Sequence, residues 1–228
     1  MSETTEPGSS LPPVRKIAPS APIGWLAAGW RDFVAAPLPS LFYGAVFALM
    51  GWAIVSVFRN AYQYVWGLTT GFLLVGPFLA TGLYELSRRR ERGLPPTLGP
   101  SLMAWRPNLG SIGVFALVFG ILLLLWSRAS LVVIAVMFPA EIPTLQGFMA
   151  NLLSADHLEF LFAYFLVGGF FAMCVFVISV VSVPMMLDRN TDGIVAALTS
   201  ARASLENVPA MIVWGLLIAL VIGAGFLA

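Results

Sequence analysis

SIGVFALVFGILLLLWSRASLVVIAVMFP, residues Ser111 to Pro139, contains a single charged residue, Arg128. A helix needs about 20 predominantly apolar residues to cross the hydrocarbon core of a bilayer. The run is longer than that, so it predicts a transmembrane helix that is tilted or that extends beyond one membrane surface. The other segments of the chain are interpreted by their position relative to this span.

The composition of the 228-residue chain is typical of a membrane protein. Hydrophobic residues make up 59% of the chain and charged residues 10%, whereas soluble domains are about 45–50% apolar and about 25% charged. A net charge of +1 gives no indication of nucleic acid binding, so the lipid bilayer is the expected partner. The single cysteine, Cys174, lies in an apolar run and cannot form an intramolecular disulfide.

Five apolar runs predict an all-α fold, a polytopic bundle of transmembrane helices. Besides Ser111–Pro139, the predicted spans are Leu41–Phe58, Ala61–Leu86, Leu158–Leu187 and Val208–Ala228. Pro77 in the second span and Pro184 in the fourth remove helical hydrogen bonds, so we expect helix kinks there. In the first span, Gly44 and Ala48 form a small-residue face suited to close helix packing.

A short amphipathic lead segment precedes the first, third and fifth spans. In Pro22–Ala36, apolar residues recur at helical spacing on one face, and Trp25 and Trp30 are candidate interfacial anchors. Because this segment is too short and too polar to cross a bilayer, we expect a helix that lies in the headgroup region. The other two lead segments are Leu94–Gly110, which contains Trp105, and Ile194–Glu206.

The chain begins with a polar tail, Met1–Ala21, that is rich in Pro, Ser, Thr and Glu. Such a segment cannot bury enough apolar surface to fold, so it is predicted to be disordered. It is not a signal peptide, because no apolar core of about 7–15 residues follows Arg15 and Lys16. Residues 22–228 are predicted to form a single transmembrane domain.

An internal repeat is indicated by the order of these segments. Two units each contain a lead segment, two spans and a charged exit segment, and a third unit is incomplete; the units are residues 22–93, 94–190 and 191–228. The exit segments are Ser87–Gly93 (SRRRERG) and Leu187–Gly193 (LDRNTDG). Ser101 matches Ser200 and Asn108 matches Asn207, both at an offset of 99 residues. Repeats in the same orientation are one known organisation of membrane proteins.

Three stretches carry a family resemblance: GFLLVGPFLATGLYELSRRRERG (Gly71–Gly93), VSVPMMLDR (Val181–Arg189) and AALTSARASLENVPAMIVWGLLIAL (Ala196–Leu220). They resemble the uncharacterised integral membrane proteins of domain of unknown function 2189, a family found mostly in proteobacteria. The resemblance covers nearly all of the chain after the tail. It implies a six-helix protein of the bacterial inner membrane. The family has no established activity, so no functional residue can be transferred.

The end of the sequence departs from that family. Its members usually continue with another apolar span and a short polar end that contains histidine and tryptophan. Val208–Ala228 lacks the polar or aromatic flank that spans normally have at a membrane surface. Together with the incomplete third unit, this departure leads us to expect one of two cases: either these residues are part of a longer protein with a sixth span, or the natural chain has lost its last helix. Reading the gene past the codon for Ala228 tests that expectation.

The distribution of basic residues predicts a cytoplasmic N-terminus. The positive-inside rule places the lysines and arginines of short loops in the cytoplasm. With this orientation only Arg59 and Arg128, of 12 basic residues, lie outside. The main topology anchors are Arg88, Arg89, Arg90 and Arg92, and the other cytoplasmic residues are Arg15, Lys16, Arg31, Arg106, Arg189 and Arg202.

Two charged residues next to apolar runs form a speculative polar site. An arginine at the bilayer centre costs about 2.5–3.5 kcal/mol on insertion scales. Arg128 therefore either marks a functional site or lies at the outer interface beside Trp126, and we favour the interface. Glu85 either relays protons or forms an interfacial ion pair with Arg88, and we favour the ion pair.

No catalytic, cofactor or metal site is predicted. His157 is the only histidine, so the chain lacks the ligands of a haem or copper centre. The carboxylates near His157 match no metal-ligand spacing, and the sequence has no P-loop, Rossmann fingerprint, GxSxG or HExxH. We therefore expect a non-enzymatic structural or accessory protein that acts with other membrane proteins. The alternative is a small transporter or channel for a neutral or lipid-like substrate.

Overall fold

A computed structural model describes residues 11–60, 65–137, 158–189 and 191–227. Within these ranges the chain is helical and contains no β-strand, which confirms the predicted all-α class. A 3-10 turn, Arg106–Asn108, connects the fourth and fifth α-helices. The α-helices are α1 (Ala21–Ala35), α2 (Pro37–Asn60), α3 (Val65–Glu91), α4 (Leu98–Leu102), α5 (Leu109–Met137), α6 (Leu158–Ser179), α7 (Ser182–Arg189), α8 (Gly193–Glu206) and α9 (Val208–Leu227).

Four stretches of the described chain are long and apolar enough to cross a membrane. They are Pro37–Val57, Leu98–Met137, Leu158–Arg189 and Val208–Gly225. The first lies in α2, the second includes α4 and α5, the third includes α6 and α7, and the fourth lies in α9. The predicted second span corresponds to α3, which is not among the four, and its first residues, 61–64, lie outside the described ranges. The count of five spans therefore stays a prediction.

The helices pack tightly at one end of the bundle. α3 contacts α2, α4, α5 and α7, while α5 also packs against α6 and α8. The buried apolar core lies where α5, α7 and α8 meet, and it contains Ile112, Phe115, Val183, Met186 and Ala196. The lead segments, the exit segments and the helix turns next to them form this region, which we call the packed end.

The first exit segment is mostly helical. α3 continues past the predicted boundary at Leu86 and places Arg88, Arg89 and Arg90 in its last turn, where cations interact favourably with the helix dipole. Gly93 has a positive φ of 68°. Its N–H donates to the Arg90 carbonyl at 3.0 Å, and the next N–H, that of Leu94, donates to the Arg89 carbonyl at 2.8 Å. These two bonds form a Schellman C-cap.

The fourth apolar run contains a helix break between α6 and α7. The Ser200 hydroxyl accepts a hydrogen bond from the Val181 N–H at 3.1 Å and donates to the Val177 carbonyl at 2.8 Å. In a continuous helix these two backbone groups would bond to each other. Pro184, three residues after Val181, has no N–H, so the helical bond to the Val180 carbonyl is also missing. An inserted hydroxyl and a proline together account for the break.

Candidate functional site at the packed end

The two exit segments are joined at the packed end. Arg88 donates a hydrogen bond from Nη1 to the carbonyl of Leu187 at 2.8 Å, and these residues are 99 positions apart, the offset of the repeat. Arg92 forms an ion pair with Asp188 at 3.1 Å. The end of α3 is therefore held against α7 by side chains of both exit segments.

Glu85 lies buried beside the first exit segment. Its side chain is 8% exposed, and its Oε2 atom lies 2.6 Å from Nη2 of Arg88. Arg89 approaches the other carboxylate oxygen to 4.0 Å. Arg90 pairs with Asp32, which links α3 to α1. All four predicted topology anchors thus belong to ion pairs that hold this end together.

Tyr43 connects α2, α3 and α4. Its side chain is among the largest that are fully buried, and its hydroxyl lies 2.9 Å from Oγ of Ser101. The phenol ring lies directly on Gly82 of α3, where an added Cβ would lie 2.7 Å from the Cε1 atom of the ring. This close approach requires glycine at position 82. Sequence patterns did not single out Tyr43 or Gly82.

The serines and asparagines related by the 99-residue offset are all buried. Ser101 contacts Tyr43, and Ser200 occupies the helix break. Asn108 donates a hydrogen bond to the Met186 carbonyl of α7. Asn207 binds the tail: its Oδ1 accepts from the Ile17 N–H at 2.8 Å, and its Nδ2 donates to the Arg15 carbonyl at 3.1 Å. Both asparagines therefore hold the backbone of a distant segment.

The four candidate anchor tryptophans lie in different surroundings. Trp25 packs edge-to-face on Trp214 with ring centres 5.6 Å apart, which joins α1 to α9. Trp30 is 66% exposed. Trp105 donates to the Leu102 carbonyl at 2.8 Å. Trp126 lies in α5, away from the packed end, and packs on Tyr164 of α6.

Arg128 does not join the residues of the packed end. It is an exposed residue of α5 with no ion pair to the described part of the chain. It follows Leu109 by 19 residues, which corresponds to about 28 Å along a helix. Arg128 and Glu85 therefore have different surroundings, and a functional role for either residue stays a prediction.

The two prolines predicted to kink helices have different surroundings. α3 is a single helix that includes Pro77, and a kink at this residue stays a prediction. Pro184 lies in α7, just after the helix break. Among the described residues, no group of three or more His, Cys, Asp or Glu is arranged to hold a metal ion. His157 lies outside these residues.

A family model for predicted integral membrane proteins, domain of unknown function 2189 (DUF2189), matches residues 64–188. The chain belongs to this family. The match includes all of Gly71–Gly93 and all but the last residue of Val181–Arg189, whereas Ala196–Leu220 lies outside it. In this DUF2189 protein the match therefore covers α3, Asn108 and the helix break. No curated protein and no solved structure matches the chain.

Proposed function

We propose that this DUF2189 protein is a non-enzymatic accessory component of the bacterial inner membrane that acts with other membrane proteins. The observation that carries the proposal is the open surface of its apolar helices. Within the four stretches able to cross a membrane, only 6–17% of each apolar window is buried. The packed end holds the helices together, and their long apolar faces remain available to lipid and to helices of a partner.

The polar residues also favour a structural role. Apart from Ser130, the buried polar residues belong to the packed end. Several of them bond to carbonyls of their own helix, as Thr81 does to Phe78 at 2.6 Å and Thr199 to Val195 at 2.7 Å. A transporter usually has polar groups near the bilayer midplane that bind its substrate. Here the hydrogen-bonding groups contribute to assembly of the packed end.

One observation favours the alternative, a small transporter or channel for a neutral or lipid-like substrate. Discontinuous helices form the binding sites of many transporters, and the α6–α7 break is such a discontinuity. However, the backbone groups that have lost their helical partners at the break form hydrogen bonds with Ser200 instead. This bonding explains the break without a substrate, so the accessory role is the stronger proposal.

The test is site-specific photo-crosslinking in native membranes. A photoreactive amino acid replaces Leu124 of α5, Phe165 of α6 or Leu220 of α9, which are 61%, 69% and 67% exposed. Met186, which is 1% exposed, is the matched buried control. The accessory role predicts that neighbouring exposed positions capture the same membrane protein, which also co-elutes in mild detergent. Lipid adducts alone at every exposed position would contradict it, and a stoichiometric bound small molecule would favour transport.

The proposed topology has five spans and a cytoplasmic N-terminus. The arginines of the packed end support it, because they cluster on the side that the positive-inside rule assigns to the cytoplasm. In a Cys174-free background, a cysteine at Ser154, which lies outside the described residues, should react with an impermeant thiol reagent added to intact spheroplasts. A cysteine at Ser87 should react only after the membrane is opened. The reverse pattern of labelling would show the opposite orientation.

The proposal places α1 and α8 in the membrane interface. α8 turns small and polar residues such as Ala196, Ser200 and Ser204 inward, while several of its large apolar residues are exposed. Exposed apolar residues of this kind are Ile23, Leu26, Trp30 and Val34 in α1 and Ile194, Leu198 and Leu205 in α8. Such stripes bury favourably among headgroups and acyl chains.

Spin labels should therefore distinguish the two sides of each interfacial helix. Labels at Trp30 and Leu198 should be relaxed mainly by oxygen, which concentrates in the acyl region, and labels at Arg31 and Arg202 mainly by a water-soluble relaxation agent. Equal accessibility to both agents at all four positions would exclude the interfacial placement.

A further inference from the structure

The described part of the tail lies in a groove formed by α7, α8 and α9. Residues 12–18 have neither helical nor strand structure. A cavity of about 390 Å³ separates the tail from the helices, and its lining includes Val14 and Ile17 of the tail and Pro184, Thr199 and Met211 of the groove. The groove is therefore lined by both apolar and charged side chains, and it holds a stretch of chain that is neither helix nor strand.

Asn207 provides the polar recognition in this groove. A carboxamide offers one acceptor oxygen and two N–H donors, the same kinds of group that a peptide unit offers to a neighbouring strand. Asn207 uses them on the Ile17 N–H and the Arg15 carbonyl, and its second donor bonds the Ala203 carbonyl at 3.0 Å. Asn207 is 5% exposed, and its bonds to the tail are partly buried. Asn207 therefore binds backbone groups of the tail and not its side chains.

The tail sequence has the periodicity that such a groove requires. Leu11, Val14 and Ile17 recur at every third position and are partly buried, whereas Arg15 and Lys16 are exposed. Polyproline II helices have three residues per turn, so residues three apart lie on the same side. The Pro-Pro dipeptide before Val14 favours that conformation, and aromatic or apolar grooves bind such preformed segments at low entropic cost.

The repeat-related asparagine makes a similar contact inside the bundle. Asn108 bonds the backbone of α7, while Asn207 bonds the backbone of the tail. The Asn108 contact is part of the packed core, since Met186 is 1% exposed. The Asn207 contact holds a segment that reaches the groove from outside the helices.

We propose that the groove around Asn207 is a peptide-binding site for an extended segment with an apolar residue at every third position, and that residues 11–17 are its resident ligand. This inference goes beyond the accessory role and does not depend on it. A tethered ligand acts at an effective concentration in the millimolar range. A free peptide of the same kind therefore binds well only when the hold on the tail is weakened.

The first experiment measures whether the tail is held by the bonds to Asn207. A spin label is placed at Pro13→Cys in the full chain with Cys174→Ser. Ile17→Pro removes the N–H that donates to Asn207, and the label should become mobile. Lys16→Pro is the matched control, because the Lys16 N–H has no hydrogen-bond partner in the described chain, and the label should stay immobilised. An immobile label in Ile17→Pro, or equal mobility in both variants, overturns the proposal.

The second experiment measures binding of a fluorescent synthetic peptide with the sequence of residues 9–19. It should bind the Ile17→Pro protein at least about tenfold more tightly than the wild-type protein, whose own tail competes. Adding Asn207→Leu should remove this binding, whereas adding Asn108→Leu should not. The same peptide with proline in place of Ile17 should fail to bind. Equal binding to wild type and Ile17→Pro overturns the proposal, and this comparison decides it even if Asn207→Leu does not fold.

Discussion

Gly82→Ala is expected to destabilise the folded bundle by about 1–3 kcal/mol, the usual cost of overpacking a well-filled site. The added Cβ would overlap the Tyr43 hydroxyl and lie 2.7 Å from Cε1 of its ring. The ring is 1% exposed and cannot move away without breaking the contact between α2, α3 and α4. Thermal unfolding in detergent, followed by tryptophan fluorescence, measures the loss of stability.

Gly76→Ala in the same helix is the matched control. No described atom lies within 4 Å of a Cβ at position 76, and alanine is favoured over glycine inside a helix by about 0.5–1 kcal/mol. This variant should be as stable as the wild type or more stable. Tyr43→Leu removes the ring that the added Cβ would meet. Gly82→Ala should therefore cost less stability in the Tyr43→Leu background than in the wild type. Equal stability of the two alanine variants would show that Tyr43 does not lie on Gly82.

Glu85→Ala is expected to cost about 3 kcal/mol of folding free energy, because breaking one side of a buried ion pair typically costs about 3–5 kcal/mol. The low end applies because the Arg88 side chain remains 27% exposed. Without the carboxylate, Arg88 is also less well fixed for its bond to the Leu187 carbonyl. Chemical denaturation in mixed micelles measures the change in free energy.

The exposed pair of Arg202 and Glu206 provides the control for this prediction. These two side chains are 43% and 34% exposed, and their atoms lie 2.7 Å apart. Exposed pairs at this helical spacing contribute about 0.3–0.5 kcal/mol, so Glu206→Ala should have little effect. If Glu85→Ala and Glu206→Ala lower stability by the same small amount, the ion pair at Glu85 does not support the packed end.

The sequence predicted which segments of this protein are helical better than it predicted the residues at which the helices begin and end. Long uncharged runs leave few alternatives in a bilayer, because every backbone group must be bonded within a helix. Helix α2 begins at Pro37, four residues before the predicted Leu41, since proline is well suited to the first turn. Helix α3 continues to Glu91, beyond the predicted Leu86. The arginines in its last turn interact favourably with the helix dipole, and Gly93 caps the helix end.

The candidate site was less accessible to sequence reasoning. Gly44 seemed as suitable for close packing as any glycine, yet no described atom lies within 4 Å of its Cβ position, whereas Gly82 is in close contact with Tyr43. That difference arises from the relative placement of α2 and α3, which no local pattern encodes. The offset of 99 residues singled out Ser200 and Asn207 but could not show which backbone groups they bind. The helix break likewise depends on a hydroxyl 19 residues away.

The contact between Asn207 and Arg15 joins residues 192 positions apart, and this separation determines when it can form during translation. Ribosomes add about 5–20 residues per second, so the tail is made about 10–40 s before its binding partner. During that interval Val14 and Ile17 have no groove to enter, and nascent-chain factors have free access to them. A defect at Asn207 therefore acts late, on a molecule whose earlier helices have already been inserted.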